Sequence, residues 1–261
     1  MQKKKCLDYF DKNETVDVYY LEDDGAPKVV ASEVSKGKLL IVDIKSVYGI
    51  TYNPFTPNLF DKLALLKGRE KDQFFSLAAS YEKLLDEVVD NEKVNPDFFK
   101  LNEEICGQMI VRIPHRNLKV ENIGNPHNKT VQSLSFEGIH SSLARFQKSL
   151  ESRGVSFTAG TSANLHRLPA ILDPTQVEKF AAAMQLTAKA NGMEDLEIIV
   201  AHLSRQPQEK TGSYPIVSFI NPQQIEIQRY VNKTNREATE KFKTYLENNF
   251  NFTTPIVYNL D

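Results

Sequence analysis

Leu39-Leu40-Ile41-Val42-Asp43-Ile44, entered from Lys36-Gly37-Lys38, is a short apolar run of the length of a buried strand. Behind it, residues 57–67 put Leu59, Phe60, Leu63 and Leu66 on one helical face, with Pro57 near the first turn and Gly68 just past the end. Together they form a strand, loop, helix unit, and the alternation continues down the chain. Strands are expected over residues 74–79, 108–113, 155–159, 197–201, 216–220 and 225–228. Helices are expected over residues 81–89, capped by Ser80, and over 98–106, 137–153, 175–191 and 235–249. Residues 117–133 are polar, contain Gly124, Asn125 and Pro126, and read as an exposed loop. Strands alternating with helices of this length predict an α/β fold whose sheet is covered on both faces.

The ends are read as additions to one domain. Residues 15–21 alternate, Asp23-Asp24-Gly25 makes a turn and Val29-Val30 follows, which predicts a hairpin within an extension over residues 1–34. The main domain is expected over residues 35–230, with a helix and strand-like tail over 231–261 packed on it. No internal repeat is visible.

Composition narrows the function. The 261 residues are 41% hydrophobic and 25% charged, with a formal charge of −2, so no global positive field holds nucleic acid, and RNA contact would have to be local. Lys3-Lys4-Lys5 leads into Asp8 and Asp11 rather than an apolar segment, and no run of 18 apolar residues occurs. A cytoplasmic protein without a membrane span is expected. Cys6 and Cys106 are read as free thiols. The five histidines lack metal-ligand spacing, so no metal site built of protein side chains is expected.

Three segments carry candidate chemistry. Ser46-Val47-Tyr48-Gly49-Ile50 leaves the first strand at its carboxyl end, where open α/β sheets bind ligands, although it also reads as a simple turn. Lys67-Gly68-Arg69 projects two cations from nearly one point, which suits phosphates and equally suits a helix dipole. Thr161-Ser162-Ala163-Asn164 follows a strand after Gly160, offering hydroxyls and a carboxamide to a ligand or to its own turn.

The order of the three segments resembles the YrdC-like domain of threonylcarbamoyl-AMP synthases. That family shows a hydroxyl-V-Y-G-L turn, a K-G-R helix end, an R-hydrophobic-P segment matched by Arg112-Ile113-Pro114, an S-A-N loop and a proline-alanine pair matched by Pro169-Ala170. The resemblance spans roughly residues 35–229 and implies a twisted mixed sheet around an open central cavity. It implies that Lys67 and Arg69 are catalytic, and that Ser46, Tyr48, Arg112, Thr161, Ser162, Asn164, Ser213 and Arg229 bind substrate or ATP. The implied reaction takes L-threonine, bicarbonate and ATP, with Mg²⁺, to threonylcarbamoyl-adenylate and pyrophosphate for transfer RNA modification. Partner proteins of that pathway, and RNA itself, are implied contacts. Departures occur where Asp43-Ile44-Lys45-Ser46 replaces P-T-D-T, Gln73-Phe74 replaces K-P, and Tyr214-Pro215-Ile216 replaces S-T-V. They keep open a different carbamoyl acceptor, or a non-catalytic module that binds nucleotide or double-stranded RNA.

Overall fold

The computed structural model describes residues 6–10, 14–69, 74–116, 118, 120, 123–166, 168–206, 210, 212–229 and 236–258. Its strands are β1 Asp17–Tyr20, β2 Leu39–Asp43, β3 Tyr48–Tyr52, β4 Ser76–Ala79, β5 Ile110–Pro114 and β6 Thr130–Leu134, followed by β7 Phe157–Ser162, β8 Ile198–His202, β9 Ile216–Ser218, β10 Ile225–Arg229 and β11 Ile256–Tyr258. All join one mixed sheet in the order β1-β8-β2-β3-β7-β4-β6-β5-β9-β10-β11. The longer helices are α1 Ala26–Ser35 and α2 Leu59–Lys67. Two short ones follow, α3 Tyr81–Lys83 and α4 Glu103–Cys106, and then α5 Ser141–Glu151, α6 Pro174–Ala190 and α7 Arg236–Asn249.

Because side chains alternate across a strand, register sorts the residues into two faces. Ile41, Ile50, Leu77, Ala159, Val111 and Val217 share one core with Leu63 and Leu66 of α2 and Val177 and Phe180 of α6. Leu40, Val42, Ala78, Leu134 and Ile199 share the other with Val30 and Val34 of α1 and Leu143, Phe146 and Leu150 of α5. The α/β architecture with helices on both faces is therefore as the sequence predicts.

Several local expectations are corrected. The hairpin is absent, because Pro27 starts α1 and Val30 and Val34, four residues apart, bury its inner side. β1 instead pairs in parallel with β8, Tyr20 opposite His202. Residues 48–52 are strand β3 rather than a loop, since Tyr48, Ile50 and Tyr52 alternate into the core. The polar segment 117–133 gives way to β6 at Thr130, and residues 98–106 split into a 3₁₀ turn, Pro96–Lys100, and α4. Ser80 does cap the turn after β4, its Oγ accepting from Lys83 N at 3.2 Å.

The two ends complete the sheet rather than forming separate units. β11 runs parallel to β10, and the segment before it is held by Asp97, whose side chain is fully buried. Asp97 accepts bonds from Thr253 N and Oγ1, from Thr254 N and Oγ1, and from Lys100 at 2.6 Å. Cys6 and Cys106 are free and buried, and burial pushes both thiols up to about 12. No helix among the described residues is long and apolar enough to cross a membrane.

Candidate functional site

α2 ends where Gly68 adopts φ 66°, a left-handed conformation that glycine takes without steric cost, and Arg69 N closes the turn on Ala64 O at 2.9 Å. The reversal sends Lys67 over the end of β7. Its Nζ donates to the Ser162 carbonyl and, at 3.0 Å, to Asn164 Oδ1. Ser162 Oγ donates to the same Oδ1 at 2.7 Å, and Asn164 Nδ2 holds the Leu168 carbonyl. His166 N bonds Lys67 O at 3.0 Å, and Ala163 N bonds Tyr48 O at 2.9 Å, so the S-A-N loop is tied to both the helix end and β3. The structure brings Lys67, Ser162 and Asn164 into direct contact.

Lys67 is only 1% exposed. Burial lowers its pKa well below the ordinary lysine value, and the neighbouring Arg69 charge lowers it further. Two oxygen acceptors, the Ser162 carbonyl and Asn164 Oδ1, oppose that trend because they stabilise the ammonium form. Arg69 is lowered by burial as well; its guanidinium lies 5.0 Å from the Phe75 ring centroid, and its buried Nε has no hydrogen-bond partner. An unsatisfied donor on a cation is costly and is relieved by an anion.

The sheet itself supplies the rest of the site. Gly160 of β7 lies opposite Ser76 of β4, Gln132 of β6 lies opposite Arg112 of β5, and Arg112 lies opposite Ser218 of β9, which faces Glu226 of β10. Ser76 Oγ reaches Gln132 Oε1 at 3.4 Å, joining the two halves of the row. Side chains directly opposite one another share a face, so these residues make a polar line on the α1/α5 side, with Ser162 two residues farther along β7. Ser76, Gln132, Arg112, Gly160 and Ser162 are all partly exposed although their strands are central. Solvent therefore reaches the middle of the sheet, forming an open polar trough. Three strand spacings of about 4.8 Å put Arg112 about 14 Å from β7.

Other expected site residues lie elsewhere. Thr161 is opposite Ile50 and so points to the reverse face from Ser162. Tyr48 is fully buried and its hydroxyl meets His202 Nδ1 at 2.8 Å, while His202 Nε2 meets Glu178 Oε1 at 3.0 Å. The carboxylate only accepts, so Nε2 carries a proton, and in the neutral imidazole Nδ1 then accepts from Tyr48. His202→Phe should strand the Tyr48 hydroxyl and lower stability by about 1–3 kcal/mol, read as a fall in thermal midpoint with Tyr48→Phe/His202→Phe recovering part of it. Ser46 is engaged from the far side, since its carbonyl accepts from Gly212 N at 2.9 Å, and Tyr214 Oη bonds Ile44 O at 2.5 Å. Lys210 locks the same turn, its Nζ 2.6 Å from Asp43 Oδ1 and 4.5 Å above the Tyr48 ring. Ser213 lies in this strap, partly exposed. The Arg229 side chain lies outside the described residues; its backbone stands opposite Ile216.

Gln132, Ser76, Ser218 and Glu226 were missed by motif reading. A signal existed for two of them, since Ser76 and Ser218 are the single polar residues of the short strands Ser76-Leu77-Ala78-Ala79 and Ile216-Val217-Ser218. Another hollow, about 510 Å³, is lined by Asp90, Lys93, His115, Arg116 and Lys129 and contains none of the expected site residues. Among the described residues no group of three histidine, cysteine, aspartate or glutamate side chains could hold a metal ion.

Residues 32–204 match the profile of the Sua5/YciO/YrdC family, described as telomere recombination. The chain belongs to this family. A search of curated proteins returns no match. Solved structures share the fold at low identity. A hypothetical protein, smu.1377c, from Streptococcus mutans UA159 is 11% identical, with TM-score 0.65, and the match covers 94% of this chain and 99% of that one. Sua5 of P. abyssi complexed with L-threonine is 15% identical, with TM-score 0.56, covering 83% of this chain. HypF in a phosphate- and nucleotide-bound form is 14% identical, with TM-score 0.57, covering 78% of this chain and 28% of that one. The chain spans 57% of the Sua5 structure. At such identities the likeness shows the fold alone, and a Sua5/YciO/YrdC member is placed by its residues rather than by its neighbours.

Proposed function

We propose that this family member is an ATP-using enzyme of the threonylcarbamoyl-AMP synthase type, forming threonylcarbamoyl-adenylate from L-threonine, bicarbonate and ATP. The reading is supported by one observation: the buried Lys67 Nζ is bonded to Ser162 and Asn164, which are partly exposed at the end of a polar row that carries Arg112. Cations at both ends of about 14 Å suit a ligand as long as a nucleoside triphosphate beside an amino acid. The Sua5 structure with bound L-threonine supports the choice of amino acid.

In this scheme the threonine amine takes up bicarbonate with loss of water, a carbamate oxygen forms a bond to the α-phosphorus, and the bond to pyrophosphate breaks. No covalent help from the protein is required. Lys67 and Arg69 hold negative charge where it accumulates, Ser162 and Asn164 fix the group beside it, and Arg112 grips the far anion. Nucleotide phosphates would hold any Mg²⁺, which would neutralise part of their charge. The product feeds modification of adenosine 37 in transfer RNA, the enzyme acting in the cytoplasm with partner proteins of that pathway.

The assay is pyrophosphate release from ATP, expected only when L-threonine and bicarbonate are both present. Release that needs bicarbonate but accepts another amine would assign a different carbamoyl acceptor. That second reading is favoured by Ser46, whose turn is strapped down by Gly212, Tyr214 and Lys210. No release with any amine would leave a binding module for nucleotide or RNA.

A further inference from the structure

We propose that Gln228, set in place by Glu226, is the positioning residue for Arg112. This deepens the reading above and rests on the trough binding a phosphate-bearing substrate. Gln228 Nε2 donates to Glu226 Oε2 at 3.1 Å, and Gln224 Nε2 donates to Glu226 Oε1 at 2.8 Å. A carboxylate only accepts, so the Gln228 amide must turn its NH₂ toward Glu226. Its Oε1 is thereby presented on the other side, where Arg112 Nη1 donates to it at 3.2 Å. The amide converts a negative charge on β10 into an oriented acceptor for a cation two strands away.

The backbone is built for this reach. Ile227 pairs with Val217 and Arg229 with Ile216, so β10 carries one more residue than β9 at this point, and Gln228 is the residue without a partner. A bulge of this kind re-aims a side chain, and here it lets Gln228 lean across β9 toward β5. Between them, Ser218 is buried and its Oγ has no hydrogen-bond partner, so it does not compete for the guanidinium. Holding Arg112 by a neutral oxygen has a consequence for binding. A carboxylate in direct contact would neutralise the cation, whereas an amide oxygen fixes its direction and leaves its charge for a ligand anion.

The test is a double-mutant cycle on the full chain, with ATP and Mg²⁺ as probe in isothermal titration calorimetry. Gln228→Met should weaken binding about tenfold, and Arg112→Met more strongly, by the usual scale of a bond to a charged group. In the Arg112→Met background, Gln228→Met should then change nothing further, because its effect passes through Arg112. Glu226→Met provides a second entry to the same cycle if either variant fails to fold, and it should match Gln228→Met. Binding by Gln228→Met equal to wild type, or losses that simply multiply in the double variant, would overturn the assignment while leaving the nucleotide reading intact. Wild-type protein that binds neither ATP nor inorganic pyrophosphate would overturn both. A purely structural role would lower the thermal midpoint without producing the non-additive binding.

Discussion

Lys67→Met is expected to abolish useful turnover while leaving the thermal midpoint nearly where it was. Two opposing costs decide the stability. Removing the ammonium leaves the Ser162 carbonyl without its donor, a loss of about 1–3 kcal/mol, while Asn164 Oδ1 keeps the bond from Ser162 Oγ. Against this, an ion that is 1% exposed and adjacent to Arg69 carries a desolvation penalty of several kcal/mol, which methionine, of similar length, does not. The two roughly cancel. On the proposed reading activity has no such compensation, because a charge-stabilising donor lost from a preorganised site costs about 10²–10³ in kcat. Pyrophosphate release by the variant, compared with wild type under saturating substrates, should fall by at least that factor. Full activity would remove Lys67 from the mechanism; a collapsed midpoint would make it a strut instead.

The architecture was readable because it rests on runs of one kind of residue. Leu39 to Val42 is apolar, the strand through Asp43 is buried from end to end, and α6 carries Val177, Phe180, Ala181 and Met184 at helical spacing. Such segments bury the same face in any tertiary setting. The misread segments depend on partners far away in the chain. Residues 26–35 form a helix because α5 offers a surface for Val30 and Val34, and residues 48–52 form a strand because β2 and β7 flank them on both sides. Within the site, Lys67, Ser162 and Asn164 were legible as short motifs at element ends. Arg112 was legible only through family resemblance, and its neighbours Gln132 and Glu226 were not legible at all. They come together by cross-strand register over six strands, β7 to β10, a relation that no local window contains.

Asp97→Asn is expected to unlatch the carboxyl-terminal strand and to cost roughly 3–5 kcal/mol, a large share of the stability of an ordinary domain. The carboxylate is fully buried, and its oxygens take backbone and hydroxyl donors from Thr253 and Thr254 together with Lys100. An asparagine has one acceptor oxygen and would turn an NH₂ against at least one of those donors. Because the bonds cross from residue 97 to residues 253 and 254, the loss falls first on β11, and its amides should exchange with solvent about a hundredfold faster, while β2 and β8 keep their protection. Acid should produce the same state in the wild type. Burial alone would raise the Asp97 pKa, but Lys100 and the threonine donors outweigh it and hold the carboxyl well below the usual range. The folded pKa thus lies beneath the unfolded value of about 3.9, so the stabilisation is complete above that value and is lost as pH falls through the folded one. Protection of the β11 amides, taken relative to the intrinsic exchange rate at each pH, should fall in wild type only below about pH 3.9 and show no such step in Asp97→Asn. If both proteins gave the same acid profile, the latch would have to lie in the packing of Leu246 and Ile256 rather than in this carboxylate.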